Sequence, residues 1–357
     1  MFINNIYDIF IRCLYFIRFS AVFNVGIWNS VGDSTDDGEI SALNRKLPEY
    51  CLASRGLNTK TVYQNAFISF CKWSKLHKLS SLPASDITVS IYLIYKAETA
   101  KPGSKIDQIV YGISWAHNLA GLKNPCQSDL VNFVREGAHR KIGHMITKKE
   151  PITPDILKKI VCTYGNKHCN LKDIRIASMC LICYSGFLRF SELLNLRRSD
   201  ITFFPTYIKL FLVKSKTDAY REGRDVLIAK TGLPICPVNM LNRYLNLASI
   251  ENTSQEFIFS PLYLYKSENV YKLRKSCQLS YTRSREMLLS ALEGIGLDKK
   301  KFGLHSLSSG GATAAAAAGI DDRLFKKHGR WKSDKAKDGY VKESITDRLF
   351  ASKYLGI

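Results

Sequence analysis

Acidic residues are in short supply in this chain. It carries 31 Asp and Glu against 52 Lys and Arg over 357 residues, a formal net charge of +21 at pH 7. An excess of that size favours a polyanionic partner, either nucleic acid or an acidic membrane surface. Charge alone leaves a plain basic soluble protein equally open.

Long apolar runs are also scarce. Residues 9–28 are rich in Ile, Phe, Val and Tyr, but Arg12 and Arg18 interrupt them. Arginine at mid-bilayer is costly, so the stretch is a poor membrane span. Charges within the apolar region and no clear small-residue cleavage site argue against a signal peptide. No membrane partner is expected. The stretch at 9–28 reads as an appended helix or an unstructured leader. Residues 29–40 are polar and acidic and read as a linker, so 1–40 are expected to be a leader and linker, poorly ordered. The ten cysteines lack the framework of a small disulfide-rich domain, which implies reduced thiols in a nuclear or cytosolic compartment. Cys180 and Cys183 form a CxxC in an apolar stretch without a second ligand pair nearby, so core packing is preferred to zinc. Neither a metal nor another cofactor is expected. An internal repeat is missing, and Ala314–Ala318 is the one low-complexity run.

What is there has the length of about two domains. Helical spacing appears at 59–77 (Val62, Tyr63, Ala66, Phe67, Phe70, Trp73), and after Ser85 and Asp86 (Val89, Ile91, Tyr92, Ile94, Tyr95). It recurs at 104–120 and at 130–142, where the last helix ends in basic residues. Residues 41–145 thus read as an all-helical domain whose Arg135, Arg140 and Lys141 are candidates for phosphate contact. Thr153 and Pro154 start a new helix, and a buried one comes next over 174–187. A hairpin is predicted from 207–213 and 226–229 around a polar turn at 214–224, with helix to the end. The expected fold class is mainly α with a small antiparallel sheet, an all-helical N-terminal domain leading into a mixed domain over 146–357.

Chemistry gathers in that second part. Arg189 follows an apolar helix, with Glu192 three residues on; a half-buried arginine needs an anionic partner, and taken alone the two read first as a structural ion pair. Lys216 sits at the predicted hairpin tip, where a lysine is usually a solvated charge unless a phosphate faces it. His305 opens a helix, and helix starts attract anions. Trp331 can donate its indole N–H to an oxyanion, and Tyr340 stands nine residues later.

Together, Arg189, Lys216, His305, Trp331 and Tyr340 in this order and spacing resemble the tyrosine recombinases, or phage-type integrases, with the closest likeness to versions carried by animal mobile elements. The resemblance covers about residues 41–357. It implies a core-binding domain over 41–145 and a catalytic domain over 146–357, forming a C-shaped clamp on double-stranded DNA. It also implies that Tyr340 is a nucleophile that forms a 3′-phosphotyrosyl link, that Arg189 stabilises the phosphorane-like charge, and that Lys216 protonates the leaving 5′-oxygen. Trp331, rather than His328, takes the His-or-Trp position. Neither ATP nor a metal enters such a reaction. A homotetramer on synapsed DNA, docked through the C-terminal helix at 346–354, is the implied assembly. The implied compartment is the nucleus, or the cytoplasm of a prokaryote.

One position departs from the pattern. The family's His-x-x-Arg motif falls on His305 and Ser308, and serine has a hydroxyl and no charge. Arg330 or Arg323 could fill that place only by reaching over from outside the helix turn that carries it. Loss of one donor from a preorganised site costs roughly a hundred- to a thousandfold in rate. Two readings therefore stand: a recombinase, with activity impaired by Ser308, or a catalytically dead DNA-binding relic. A basic helical protein binding RNA or a membrane surface is the remote third.

Overall fold

The computed structural model describes residues 19–31, 37–99, 104–143, 148–213, 223–274 and 276–355. The chain divides into two compact units, Met1–Ile146 and Thr147–Ile357.

Two turns of 3₁₀-helix, Ser20–Asn24 and Gly26–Ser30, lead into the first unit. Its α-helices are α1 (Gly38–Asn44), α2 (Leu47–Ala53), α3 (Leu57–Leu76), α4 (Asp86–Thr99), α5 (Ser104–Leu119) and α6 (Asp129–Ile142). The cap before α4 is Ser85, whose hydroxyl accepts from Thr88 N at 3.1 Å. Helix α3 packs on α5 and α4 on α6. Their shared core holds Phe67, Phe70, Tyr92, Ile113 and Trp115, all from the apolar stripes read in the sequence. The stripe on α4 is only half inward. Val89 and Tyr92 are buried, whereas Ile91 and Ile94 are exposed, because residues two apart on a helix cannot share one face. Phe19 belongs to this core as well, stacked on Trp115 at 5.1 Å. Trp28 Nε1 donates to the Leu119 carbonyl at 2.7 Å.

The second unit opens with α7 (Pro154–Tyr164), capped by Thr153, whose hydroxyl accepts from Ile156 N. Its central element is α8 (Leu171–Ser185), apolar on nearly every side and buried from Ile174 to Cys183. Burial pushes the Cys180 thiol up to about 12 and the Cys183 thiol up as well, so both act as packing residues. Then come α9 (Phe190–Asn195), β1 (Ile201–Phe203), β2 (Tyr207–Leu212), β3 (Arg224–Ala229) and α10 (Pro237–Leu247). Strand β2 pairs antiparallel with both neighbours and sets Ile208 opposite Ile228 and Leu210 opposite Val226. All four side chains are buried, as period-two alternation requires. The expected hairpin is therefore present; its turn at 214–222 lies outside the described residues.

Beyond α10 the chain does not run to its end as helix alone. A second hairpin, β4 (Leu262–Tyr265) and β5 (Val270–Leu273), intervenes. Its strands are exposed or at most half-buried throughout, so it carries little apolar signal. The chain continues as α11 (Tyr281–Gly294), α12 (His305–Ala317), α13 (Asp322–Gly329), α14 (Asp334–Asp338) and α15 (Ile345–Lys353). Helix α8 packs against α10 and α12. The contact with α12 requires glycine: a Cβ on Gly311 would strike the Tyr184 carbonyl oxygen and the Phe187 ring. Among the described residues no helix is long and apolar enough to cross a membrane.

Candidate active site

The end of α8 aims Arg189. After Ser185 the chain turns through Gly186 and Phe187, which takes a φ of +47°. Arg189 is then the cap residue of α9. Glu192 reaches back to it twice, accepting the Arg189 N–H at 2.9 Å and its Nη1 at 2.8 Å. The Glu192 carboxylate thus caps the first turn while the Glu192 N–H donates to the Arg189 carbonyl at 2.8 Å, which explains why Arg-x-x-Glu starts this helix. Only 1% of the Glu192 side chain is exposed, against 19% for Arg189. Burial works against the Arg189 charge, but Glu192 and Tyr340 outweigh it and hold the guanidinium above its ordinary pKa.

The start of α12 contributes His305 and Ser308. Ser308 is buried, and its hydroxyl turns back on its own helix, donating to the His305 carbonyl at 3.2 Å. It also lies 3.4 Å from His305 Nδ1. The hydroxyl is therefore engaged locally and offers no charge. Desolvation, reinforced by the positive charge on Arg189, lowers the His305 pKa below 6.5. Its neutral imidazole is thereby favoured.

The third wall runs from α13 through α14. Arg330 ends α13 in the left-handed region at φ +58°, and Trp331 follows it inward. A Cβ on Gly329 would collide with the Trp331 ring, so this glycine lets the indole fold back. The ring stacks on Phe187 at 6.0 Å and meets Tyr340 at 5.1 Å. His305 meets Tyr340 edge to face, with centroids 4.6 Å apart. Lys326 and Lys337 pair with Asp322 and Asp334, tying α14 to α13 just before Tyr340.

Arg189, Glu192, His305, Ser308, Trp331 and Tyr340 are thus brought together from four segments spread over some 150 residues of sequence. Lys216 lies outside the described residues. His328 faces elsewhere: its Nε2 lies 2.8 Å from the Ser185 carbonyl, and its ring packs edge-on against Phe187. Arg330 does not occupy the place left by Ser308. Its guanidinium is buried behind Arg189, where Nη2 donates to Glu192 at 3.0 Å. Arg330 takes a backbone conformation that glycine usually fills, which the Gly-Arg-Trp run does not announce. The three basic candidates on α6 belong to the N-terminal unit. Arg135 is bound to Asp107 at 2.7 Å and covers the Tyr111 ring. Arg140 is exposed with only a loose 3.8 Å pair to Glu136, and Lys141 is exposed.

Comparison with known proteins gives the family. Residues 152–345 match the phage integrase family, and the chain belongs to that family. An integrase/recombinase xerD homolog of Selenomonas ruminantium is 29% identical over 295 residues, covering 81% of this chain and 83% of the relative. Among solved structures, the XerH site-specific recombinase bound to a palindromic difH substrate aligns over 96% of this chain and 93% of its own, with a TM-score of 0.59 and 13% identity. The Tn1549 transposon integrase in complex with circular intermediate DNA aligns over 85% and 98%, with a TM-score of 0.55 and 14% identity. At such identities these two likenesses speak for the fold. The mainly helical architecture with small antiparallel sheets is that of the tyrosine recombinases.

Proposed function

We propose that this chain cuts and rejoins double-stranded DNA through Tyr340. The observation that carries the reading is the setting of that tyrosine: its ring meets both His305 and Trp331, and its hydroxyl supports the charge of Arg189. In the proposed reaction the Tyr340 oxygen attacks the scissile phosphorus. The phenolic proton passes to the neutral His305, a phosphotyrosyl bond forms at the 3′ end, and the bond to the 5′-oxygen breaks. That oxygen takes its proton from Lys216, by resemblance. Arg189 faces the charge building on the phosphoryl oxygens, and the Trp331 indole N–H supplies a second donor. Attack by the 5′-hydroxyl of another strand reverses the step and regenerates the tyrosine, so bond energy is conserved. The net charge of +21 supports a DNA partner, and DNA is what the XerH and Tn1549 proteins hold in their structures.

A mobile-element setting in an animal, and the nucleus as compartment, belong to this reading and rest on the sequence motifs alone. So does a homotetramer on synapsed DNA. For the last, α15 and the residues after it expose Leu349, Phe350, Tyr354 and Leu355, a suitable surface for a neighbouring subunit.

The second reading, a DNA-binding relic, is favoured by Ser308, whose hydroxyl is turned away into its own helix. A nicked suicide substrate separates the two. A covalent protein–DNA adduct of the full chain supports strand cleavage. Salt-sensitive duplex binding without adduct supports the relic, and failure to bind duplex DNA sinks both.

A further inference from the structure

Arg330 occupies a backbone conformation that disfavours its own side chain. At φ +58° and ψ +31° it caps α13 where glycine or asparagine is usual. What arginine adds there is its guanidinium, and this one is only 4% exposed. Nη1 donates to the carbonyls of Gly186 at 3.1 Å and His328 at 2.9 Å. Nη2 donates to the Phe187 carbonyl at 3.2 Å and to Glu192 at 3.0 Å. Two of these acceptors form the turn that aims Arg189. The residue after Arg330 is Trp331, and the same segment runs on to Tyr340.

The charges add to the argument. Glu192 is buried, and its other oxygen holds Arg189. One carboxylate paired with one guanidinium is neutral and leaves little attraction for a phosphate. A second guanidinium on the far oxygen leaves the trio with one net positive charge, borne on the side that Arg189 presents. We propose that Arg330 is a positioning residue of the Tyr340 centre: it neutralises Glu192 from behind, so that the charge of Arg189 remains available to a phosphate, and it clamps the Arg189 turn to the segment carrying Trp331 and Tyr340. The consequence for cleavage rests on the strand-cleaving reading above; the charge relation does not.

The test tracks the His305 imidazole by ¹³C NMR titration of the full chain, beside the suicide-substrate assay. Arg330→Gly suits the left-handed backbone and removes the guanidinium. Glu192 then cancels Arg189 more fully, and the His305 midpoint is expected to rise by roughly half a unit or more. Cleavage is expected to fall about ten- to a hundredfold, as when a group orienting a site from behind is lost. Glu192→Gln added to Arg330→Gly should return the His305 midpoint toward its original value, and this pair also guards against a glycine variant too unstable to study, since both buried charges are gone. Arg330→Lys keeps the charge and should leave the midpoint in place. A His305 titration identical in Arg330→Gly and the parent, or one that Glu192→Gln does not reverse, overturns the proposal. If the midpoint moves as expected while the parent forms no adduct, the charge relation holds and the strand-cleaving reading fails.

Discussion

The rings of His305 and Tyr340 meet edge to face, 4.6 Å between centroids. They come from opposite ends of a stretch in which α12, α13 and α14 fold the chain back on itself. Replacing Tyr340 by Phe keeps the ring and its packing but removes the oxygen. Tyr340→Phe is therefore expected to abolish covalent adduct on a suicide substrate while duplex affinity and thermal stability stay near those of the parent. An adduct of equal yield in this variant would show that another residue is the nucleophile.

On the strand-cleaving reading, Ser308 is the weak point of the site. A guanidinium there would give the phosphoryl oxygens a second charged donor beside Arg189. Ser308→Arg should raise the adduct-forming rate, roughly a hundred- to a thousandfold if the full worth of a preorganised donor is recovered. An unchanged rate would mean that position 308 does not face the phosphate.

The basic end of α6 divides into two kinds of cation. Arg140 and Lys141 are exposed, so each alanine variant should weaken duplex binding uniformly and lower the salt slope by about one. Arg135 is engaged with Asp107 and Tyr111. Its alanine variant should instead cost about 1 kcal/mol or less of stability, since the pair is partly exposed. A salt slope that falls for Arg135→Ala alone would reverse this assignment.

His117 has its tautomer set by its neighbours. The Ala84 N–H can only donate, so Nε2 accepts at 3.0 Å and Nδ1 carries the proton given to the Ile113 carbonyl at 2.9 Å. Burial lowers its pKa below 6.5. A histidine depressed on folding contributes stability above its ordinary value, and that stability is lost as pH falls. Protection of the Ala84 amide from hydrogen exchange should therefore decline below pH 6.5 in the parent, beyond the intrinsic pH effect. In His117→Gln that extra decline should vanish; its persistence would point to another group.

Gly311 sits where α12 crosses the end of α8. An added Cβ meets the Tyr184 carbonyl, which is backbone and cannot swing aside. Gly311→Ala should cost about 1–3 kcal/mol in urea denaturation, typical of overpacking. Because Phe187 is the other contact, adduct formation should suffer too.

Much of this was legible in the sequence. Apolar spacing on α3, α5 and α8 and the alternation in β2 and β3 report burial directly, and the interval from Trp331 to Tyr340 is a local property of one segment. The β4–β5 hairpin was not legible, because its strands bury little and carry no strong alternation. Arg330 was hidden for another reason. Its partners, Glu192, Gly186 and Phe187, lie some 140 residues earlier, and no local pattern states which carbonyls a distant guanidinium will meet. Nor does sequence reveal that the Ser308 hydroxyl is satisfied by its own helix turn.

The ion pairs that bind α14 to α13 lend the site a dependence on its medium. Lys326 and Lys337 bridge Asp322 and Asp334 at the protein surface, within reach of screening counterions that act over roughly 8 Å at physiological ionic strength. Added salt thus touches two quantities at once, the hold of the protein on a polyanion and the anchoring of the arm that delivers Tyr340. A rate that falls with salt at saturating DNA would report the arm, and affinity measured separately would report the hold.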